Sequence, residues 1–131
     1  MTAGKQEALW RSDFGDDYVD RNEVRDEHLA ALTHNWARVM RCMDGRPPTS
    51  IFEGGVNIGL NLRALRNLTG ADFYGLEPNA KARERLLRDK VLPTERLLDG
   101  LLSKIDLPDN SVDFSFTSGV LIHVPPADLL A

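Results

Sequence analysis

The fold is decided by residues 50–59, which read Ser50-Ile51-Phe52-Glu53-Gly54-Gly55-Val56-Asn57-Ile58-Gly59. An apolar pair suited to a β-strand comes first, an acidic residue follows, and three glycines come after it. Glycine allows the backbone to turn sharply and lets a ligand approach without a Cβ in the way. The segment therefore predicts a strand that runs directly into a glycine turn.

A helical pattern follows over residues 57–68. Its apolar residues recur at spacings of four, three and three, which places them on one face: Ile58, Leu62, Leu65 and Leu68. Gly70 is a C-terminal glycine of the kind that ends a helix. Strand, turn and helix form the first step of a nucleotide-binding βαβ fold, in which the helix N-terminus presents free N–H groups. A tight turn in another kind of α/β domain is the alternative interpretation.

Two acidic residues favour a ligand pocket over a plain turn. A second strand at residues 72–76 runs into Glu77, eighteen residues beyond Gly59. An acidic group at this strand end is where a ribose would be held by its hydroxyls. Glu53 lies just before the glycine turn, and the turn lacks the G-x-G-x-x-G spacing of a dinucleotide fold. The pattern therefore disfavours a pyrophosphate and suits a cationic ligand.

The rest of the chain alternates between helical and extended patterns. We predict a long helix at residues 23–43, a helix at 80–90 capped by Asn79, a short third strand at 95–99 and a fourth strand at 112–118. This alternation predicts a parallel sheet with helices on both faces. It also predicts that a ligand binds at the carboxyl ends of the strands.

The N-terminal arm, residues 1–22, is polar but carries Trp10, Phe14 and Tyr18. Its pattern predicts a short helix that breaks at Gly15, followed by a second helix start. One interpretation is that the arm packs its aromatic side chains on the body of the domain.

Length and charge restrict the class of protein. The chain has 131 residues, a formal net charge of −4 and one cysteine. We expect a single domain overall, with a helical arm or cap at residues 1–49 and a core at residues 50–131. The charge argues against a general nucleic-acid or membrane-surface binder. No apolar run reaches the length of a membrane span. The lack of a secretion-signal pattern and the single Cys42 predict a cytoplasmic protein, and no histidine has a partner at metal-ligand spacing.

Four motifs, in this order, resemble those of the class I S-adenosylmethionine (SAM)-dependent methyltransferases. They are Glu53-x-Gly55-x-x-x-Gly59, Leu76-Glu77-Pro78, Asp99-Gly100 and the strand end at residues 113–124. A closer likeness is to a small group associated with pseudaminic acid biosynthesis. That group pairs a Gly-x-Asn-x-Gly-x-Asn turn, here residues 55–61, with a Thr-Ser-Gly-Val-Leu-Ile-His strand end, here residues 117–123. The resemblance covers nearly the whole chain.

The resemblance implies a Rossmann-like sheet, SAM as cofactor and methyl transfer to a small-molecule substrate. It also implies roles for thirteen cofactor-binding residues. The methionyl part would be held by Tyr18, Arg21, Glu53, Gly55 and Gly59, the ribose by Glu77, the adenine by Asp99 and Gly100, and the methyl region would be lined by Ser118 and Gly119. Asn57, Asn61 and Pro78 are the remaining cofactor-binding residues. An arginine suits this task because its planar fork grips a carboxylate through two parallel hydrogen bonds.

A hydroxyl acceptor would need a base within hydrogen-bond reach. His123 is the only histidine near the end of the fourth strand, and it is therefore our candidate catalytic residue. A histidine packed under the following helix is the alternative. The likeness to the pseudaminic-acid group implies a sugar or nucleotide-sugar derivative as acceptor.

Full-length members of the superfamily have seven strands in the order 3-2-1-4-5-7-6, and only the first four are recognisable in this sequence. The C-terminal half is thus apparently absent, and the fourth strand would be an open edge. The chain would be a fragment, would complete its sheet by homo-oligomerisation through that edge, or would be a decayed cofactor-binding remnant. A non-catalytic module that binds SAM or a nucleotide, or that acts by association, is therefore the alternative function. A nicotinamide-dependent oxidoreductase fits poorly, because the turn lacks the required glycine spacing.

Overall fold

A four-stranded parallel sheet of order β3-β2-β1-β4 forms the centre of the computed structural model, which describes residues 3–43 and 45–129. The strands are β1 (Ser50–Gly54), β2 (Asp72–Leu76), β3 (Leu97–Leu98) and β4 (Phe114–Thr117). The predicted Rossmann-like sheet and the order of its first four strands are confirmed. Within the described residues, β4 pairs with β1 alone and its other edge carries no strand.

Five α-helices accompany the sheet in the described ranges. They are α1 (Ala3–Trp10), α2 (Asp13–Arg21), α3 (Asp26–Arg41), α4 (Leu60–Leu65) and α5 (Ala80–Arg88). Short 3-10 helices occur at Thr94–Arg96, Leu121–His123 and Pro126–Asp128. None of these helices combines the length and the apolar character needed to cross a membrane.

Two helix predictions are corrected by backbone conformation. The helix after the glycine turn begins at Leu60, not at residue 57, because Asn57 and Gly59 have φ angles of 50° and 79°. Left-handed residues of this kind cannot continue a right-handed helix. The N-terminal break lies at residues 11–12, because Ser12 caps α2, and Gly15 lies inside that helix.

The third and fourth strands are shorter than predicted. Residues 94–96 form a 3-10 turn, which leaves only two residues in β3, and β4 spans four residues. The apolar segment that follows β4 turns into 3-10 helices instead of continuing the strand.

The main core lies around β1, β2, α4 and α5. Ile51, Leu62, Leu65 and Leu86 are fully buried in it, and Trp36 of α3 packs against it. A second cluster joins Val19 of α2 to Ile58 and Ala82. Helices α2 and α3 are thus packed on the sheet domain through separate apolar contacts, which positions the N-terminal segment beside the strand ends.

Candidate cofactor site

A cavity of about 180 Å³ lies where the loops that follow the strands converge. The glycine turn, the loop after β2, the segments after β3 and β4, and helices α1 and α2 all contribute to its wall. Nine of the predicted site residues line it: Tyr18, Gly55, Asn57, Glu77, Pro78, Gly100, Ser118, Gly119 and His123. The structure therefore brings together motifs from both halves of the sequence.

The glycine turn is held against the end of β2 by main-chain hydrogen bonds. The N–H groups of Gly55 and Val56 both donate to the carbonyl of Leu76, at 2.8 and 3.1 Å. Gly55 has a φ of 77°, and an added Cβ would collide with the side chain of Val120. Glycine is required here both for the turn and for the close approach of the segment after β4.

Glu77 is the buried carboxylate of the cavity, with 6% of its surface exposed. Its Oε2 accepts from the main-chain N–H of Asn57 at 2.7 Å, and its Oε1 accepts from that of Asn79 at 3.0 Å. Burial raises the pKa of Glu77, while these two N–H groups and the nearby Arg83 and Arg11 oppose that rise. Each carboxylate oxygen keeps lone-pair capacity for a further donor, such as a hydroxyl group.

Glu53 is buried beneath the turn and does not line the cavity. Its Oε1 accepts from Asn61 Nδ2 at 2.9 Å, and Asn61 Oδ1 in turn accepts from Trp36 Nε1 at 3.0 Å. Burial raises the pKa of Glu53 to about 8, with a smaller contribution from the charge of Glu77, whereas the hydrogen bond from Asn61 lowers it. Glu53 and Asn61 therefore bind each other inside the domain rather than facing a ligand directly.

Comparison with known proteins identifies the chain at the level of family. The family described as "Methyltransferase domain" matches residues 52–131, which is more than half of the chain. The chain belongs to this methyltransferase family. The cofactor that the family implies is S-adenosyl-L-methionine, so the predicted superfamily, enzyme class and cofactor are confirmed at this level. Among curated proteins none matches the chain significantly.

The fold is shared with a solved structure. A candidate S-adenosyl-L-methionine-dependent methyltransferase from Methanococcus maripaludis is 15% identical, with a TM-score of 0.59, over 95% of this chain and 52% of that chain. A chain from the complex between the Haloferax volcanii Trm112 methyltransferase activator and a candidate methyltransferase is 21% identical, with a TM-score of 0.47, over 72% of this chain and 48% of that one. The chain thus spans about half the length of these structures.

The cavity of the methyltransferase domain suits a cationic cofactor. Its lining includes the carboxyl groups of Glu7, Glu77 and Asp128, and no lysine or arginine of the described residues lines it. The Oδ1 atom of Asn57, another lining residue, is buried and has no hydrogen-bond partner in the part of the chain that the structure describes, so it keeps capacity for a further donor. These groups fit a sulfonium compound with donor groups better than they fit a phosphate.

Three other predicted residues are committed to contacts outside the cavity wall. Asp99 Oδ1 forms ion pairs with Arg11 at 2.8 Å and Arg83 at 3.1 Å. Arg21 is exposed, donates to the carbonyl of Asp17 in its own helix, and lies 5.7 Å above the Tyr18 ring. Gly59 caps α4, where a Cβ would approach Leu86 Cδ2 to 2.7 Å and Val91 Cγ1 to 2.9 Å.

His123 lies in the 3-10 helix that follows β4. Its ring meets Trp10 edge-on, with the centroids 5.1 Å apart, and Trp10 also contacts Tyr18 and Phe14 at 5.4 and 5.5 Å. These aromatic side chains join α1 and α2 to the segment after β4 at the cavity.

Sequence reasoning missed several parts of the cavity. Trp10 was expected only to pack on the domain, and Asn79 only to cap a helix, yet both line the cavity. The signal for Trp10 was its place among aromatic residues of the arm, whereas no local pattern indicates the lining role of Asp128.

No group of three or more His, Cys, Asp or Glu side chains in residues 3–43 and 45–129 could hold a metal ion.

Proposed function

We propose that this methyltransferase domain binds SAM in the cavity and transfers its methyl group to a small-molecule acceptor. The observation that carries the proposal is the arrangement of Glu77, whose two oxygens accept from the main-chain N–H groups of Asn57 and Asn79 in a cavity that two further carboxyl groups line. SAM supplies a methyl carbon already activated by its sulfonium, so the protein's main task is to hold donor and acceptor in line.

The roles that we propose follow from the position of each group. Glu77 and Pro78 would hold the ribose, Gly100 the adenine, and Gly55 with Asn57 the methionyl part. Ser118 and Gly119 would line the methyl region, and Tyr18 would close the cavity from α2. Glu53, Gly59 and Asn61 would support the turn from beneath, because their contacts lie within the domain. Arg21 and Asp99 would reach the cofactor only if their present contacts change.

The acceptor that we propose is a hydroxyl-bearing sugar derivative, by likeness to the pseudaminic-acid group. The acidic lining favours an uncharged sugar over a nucleotide-sugar, because phosphate groups would face carboxylates without a neighbouring lysine or arginine of the described residues. His123 would accept the hydroxyl proton as general base.

The base assignment is tested by comparing methyl transfer by the wild type, His123→Ala and His123→Gln in a protein with established turnover. We expect the rate of transfer to fall roughly a hundredfold or more in both variants, while SAM affinity changes little. Unchanged turnover in His123→Ala would refute a role for His123 in proton transfer.

A second candidate function is a non-catalytic module that binds SAM and associates through β4. One edge of β4 pairs with no other strand of residues 3–43 and 45–129, and an unpaired strand edge can pair with another chain, which favours this candidate. Sedimentation analysis over a wide concentration range tests this candidate. Dimerisation together with SAM binding, but without transfer to any acceptor, would support it over the enzyme.

We also propose how the chain is divided and where the protein is located. Residues 1–49 would form the cap and residues 50–131 the cofactor-binding core, since α1 and α2 contribute to the cavity wall while the strand ends hold the motifs. We also propose a cytoplasmic protein, without nucleic-acid or membrane partners, on the basis of its acidic charge and single cysteine.

A further inference from the structure

We propose that Asn79 is a positioning residue that couples the cavity carboxylate Glu77 to the helical hairpin α1–α2 (residues 3–21). Asn79 directly follows the Glu77-Pro78 motif, and only 2% of its surface is exposed. Its hydrogen bonds reach three separate parts of the molecule, so a change at Glu77 is transmitted to the hairpin. The proposal rests on the proposed function only in taking SAM as the ligand.

The side-chain amide of Asn79 holds the hairpin at two points. Nδ2 donates to the main-chain carbonyl of Trp10 at 3.0 Å and to Asp16 Oδ1 at 2.8 Å. Both donor hydrogens are therefore used, one for the end of α1 and one for the first turn of α2. Gly15 makes this approach feasible, because a Cβ there would collide with the Trp10 carbonyl and lie 2.8 Å from Asn79 Nδ2.

The other polar groups of Asn79 bind the core. Its main-chain N–H donates to Glu77 Oε1 at 3.0 Å, and its Oδ1 accepts from Ala82 N at 2.8 Å as the cap of α5. A helix cap requires only an acceptor. The two donors on Nδ2 are therefore not explained by capping, and a serine or aspartate would have capped α5 equally well.

The hairpin contacts of Asn79 affect the cavity because Trp10 forms part of its wall and packs against Tyr18 and His123. Other ties to the hairpin are more exposed: Lys81–Asp20 and Arg11–Asp99 are surface ion pairs, which contribute little and are screened by salt. The hydrogen bond from Arg11 to the carbonyl of Pro78 is exposed as well, so the Asn79 amide is the most buried of these polar attachments. A ligand that bonds to Glu77 stabilises the Asn79 segment and, through it, the hairpin that closes over that ligand.

Two variants separate the hairpin contacts from the helix cap. Asn79→Asp and Asn79→Ser both keep an acceptor for Ala82 N. The ionised carboxylate of Asn79→Asp cannot donate to Trp10 or Asp16, and Asn79→Ser replaces the two N–H donors with one O–H donor on a shorter side chain. In Asn79→Asp, a second carboxylate also faces Asp16. We expect amide hydrogen exchange in α1 and α2 to rise roughly tenfold in the protein without ligand, since about two buried hydrogen bonds are lost. Exchange in α5 stays unchanged, and SAM dissociates roughly ten times faster.

Exchanging the donor and the acceptor between positions 16 and 79 should restore the hydrogen bond that Asn79→Asp removes. In the double variant Asp16→Asn with Asn79→Asp, the amide at position 16 donates to the carboxylate at position 79. We expect it to recover part of the lost protection and of the slow dissociation, whereas Asp16→Asn alone retains the original bond and changes little. A purely structural role would raise exchange across the whole domain and would give no rescue.

The outcomes distinguish the two proposals. If exchange in α1 and α2 stays at the wild-type level in both single variants, the coupling by Asn79 is refuted, whatever the protein binds. If the folded wild type binds no SAM, the proposed function fails, while the exchange of the hairpin still decides whether Asn79 holds it. If the single variants expose the hairpin but leave SAM dissociation unchanged, Asn79 does not position the hairpin for the ligand.

Discussion

The main-chain N–H of Asn57 donates a hydrogen bond of 2.7 Å to Oε2 of Glu77. This bond joins the glycine turn after β1 to the end of β2, so two motifs twenty residues apart form one site. Asn57 has a left-handed backbone with a φ of 50°, as part of the turn that presents this N–H group. The carboxylate of Glu77 and the glycine turn therefore fix each other's position.

Gly55 and Gly119 both line the cavity with positive φ angles, but only Gly55 is closely surrounded. Alanine substitutions at the two positions therefore separate the cost of backbone strain from the cost of a steric collision. Gly55→Ala adds a Cβ that collides with Val120 at a φ of 77°. At Gly119 the φ is 71°, and an added Cβ meets no atom of the described residues within 4 Å. We expect Gly119→Ala to cost about 1 kcal/mol of stability from backbone strain alone. Gly55→Ala should cost about 2–4 kcal/mol, because strain and overpacking add. Urea unfolding measures both, and equal losses would contradict the close approach at Gly55.

Because the pKa of Glu53 is raised in the folded protein, we expect the free energy of unfolding to fall as pH rises. Its pKa is about 8 in the folded protein, against 4.5 as the ordinary value. Between these values the folded state holds a proton that the unfolded state has released, so stability is lost by up to about 1.4 kcal/mol per pH unit. Glu53→Gln removes the titration and still accepts from Asn61. We expect its stability relative to the wild type to increase from pH 5 to pH 8. Parallel pH profiles would contradict the neutral, buried carboxyl.

Because the pKa of Asp89 is lowered, we expect its contribution to the free energy of unfolding to increase with pH in the acid range. Its Oδ2 accepts from Arg63 at 2.7 Å, and only 8% of the Arg63 side chain is exposed. This hydrogen bond, foremost, lowers the pKa of Asp89 from 3.8. The resulting stability is present above that value and is lost as pH falls through the lowered pKa. We expect Asp89→Asn to cost about 2 kcal/mol at pH 7, with the difference from the wild type shrinking below about pH 4.

The control for this prediction is Asp106→Asn, which changes an exposed carboxylate. Thermal unfolding of the three proteins between pH 3 and pH 7 provides the comparison. A constant difference between the wild type and Asp89→Asn across that range would show that the ion pair with Arg63 does not contribute through its charge.

The positions of the strands and the cap of α5 followed from sequence because both depend on local patterns, whereas the strand order was implied by the resemblance to the methyltransferase superfamily. Apolar runs separated by turn residues define the strands, and Asn79 begins a helix by a short-range bond to Ala82. The start of α4 was misplaced because the apolar spacing already begins at Ile58, before Gly59, whose left-handed conformation no spacing reveals. Local pattern is therefore informative about elements but not about their ends.

The candidate site was predictable in its position but not in its contacts. Motifs at strand ends meet at one edge of a parallel sheet, so the grouping of Gly55, Glu77 and Ser118 followed from topology. The hydrogen bond between Trp36 and Asn61 spans 25 residues, and the hairpin contacts of Asn79 span more than 60. Such pairings depend on how whole elements pack, which residue spacing does not encode.

Binding of SAM in the cavity through Glu77 can be tested by calorimetric titration with SAM and with its demethylated product. The wild type is compared with Glu77→Gln, which keeps the side-chain shape but cannot accept from both N–H groups, and with Glu84→Gln, which changes an exposed carboxylate on α5. We predict saturable binding by the wild type and Glu84→Gln, and binding weakened at least about tenfold in Glu77→Gln. The claim is contradicted if the folded wild type does not bind SAM, or if Glu77→Gln binds it as tightly as the wild type does.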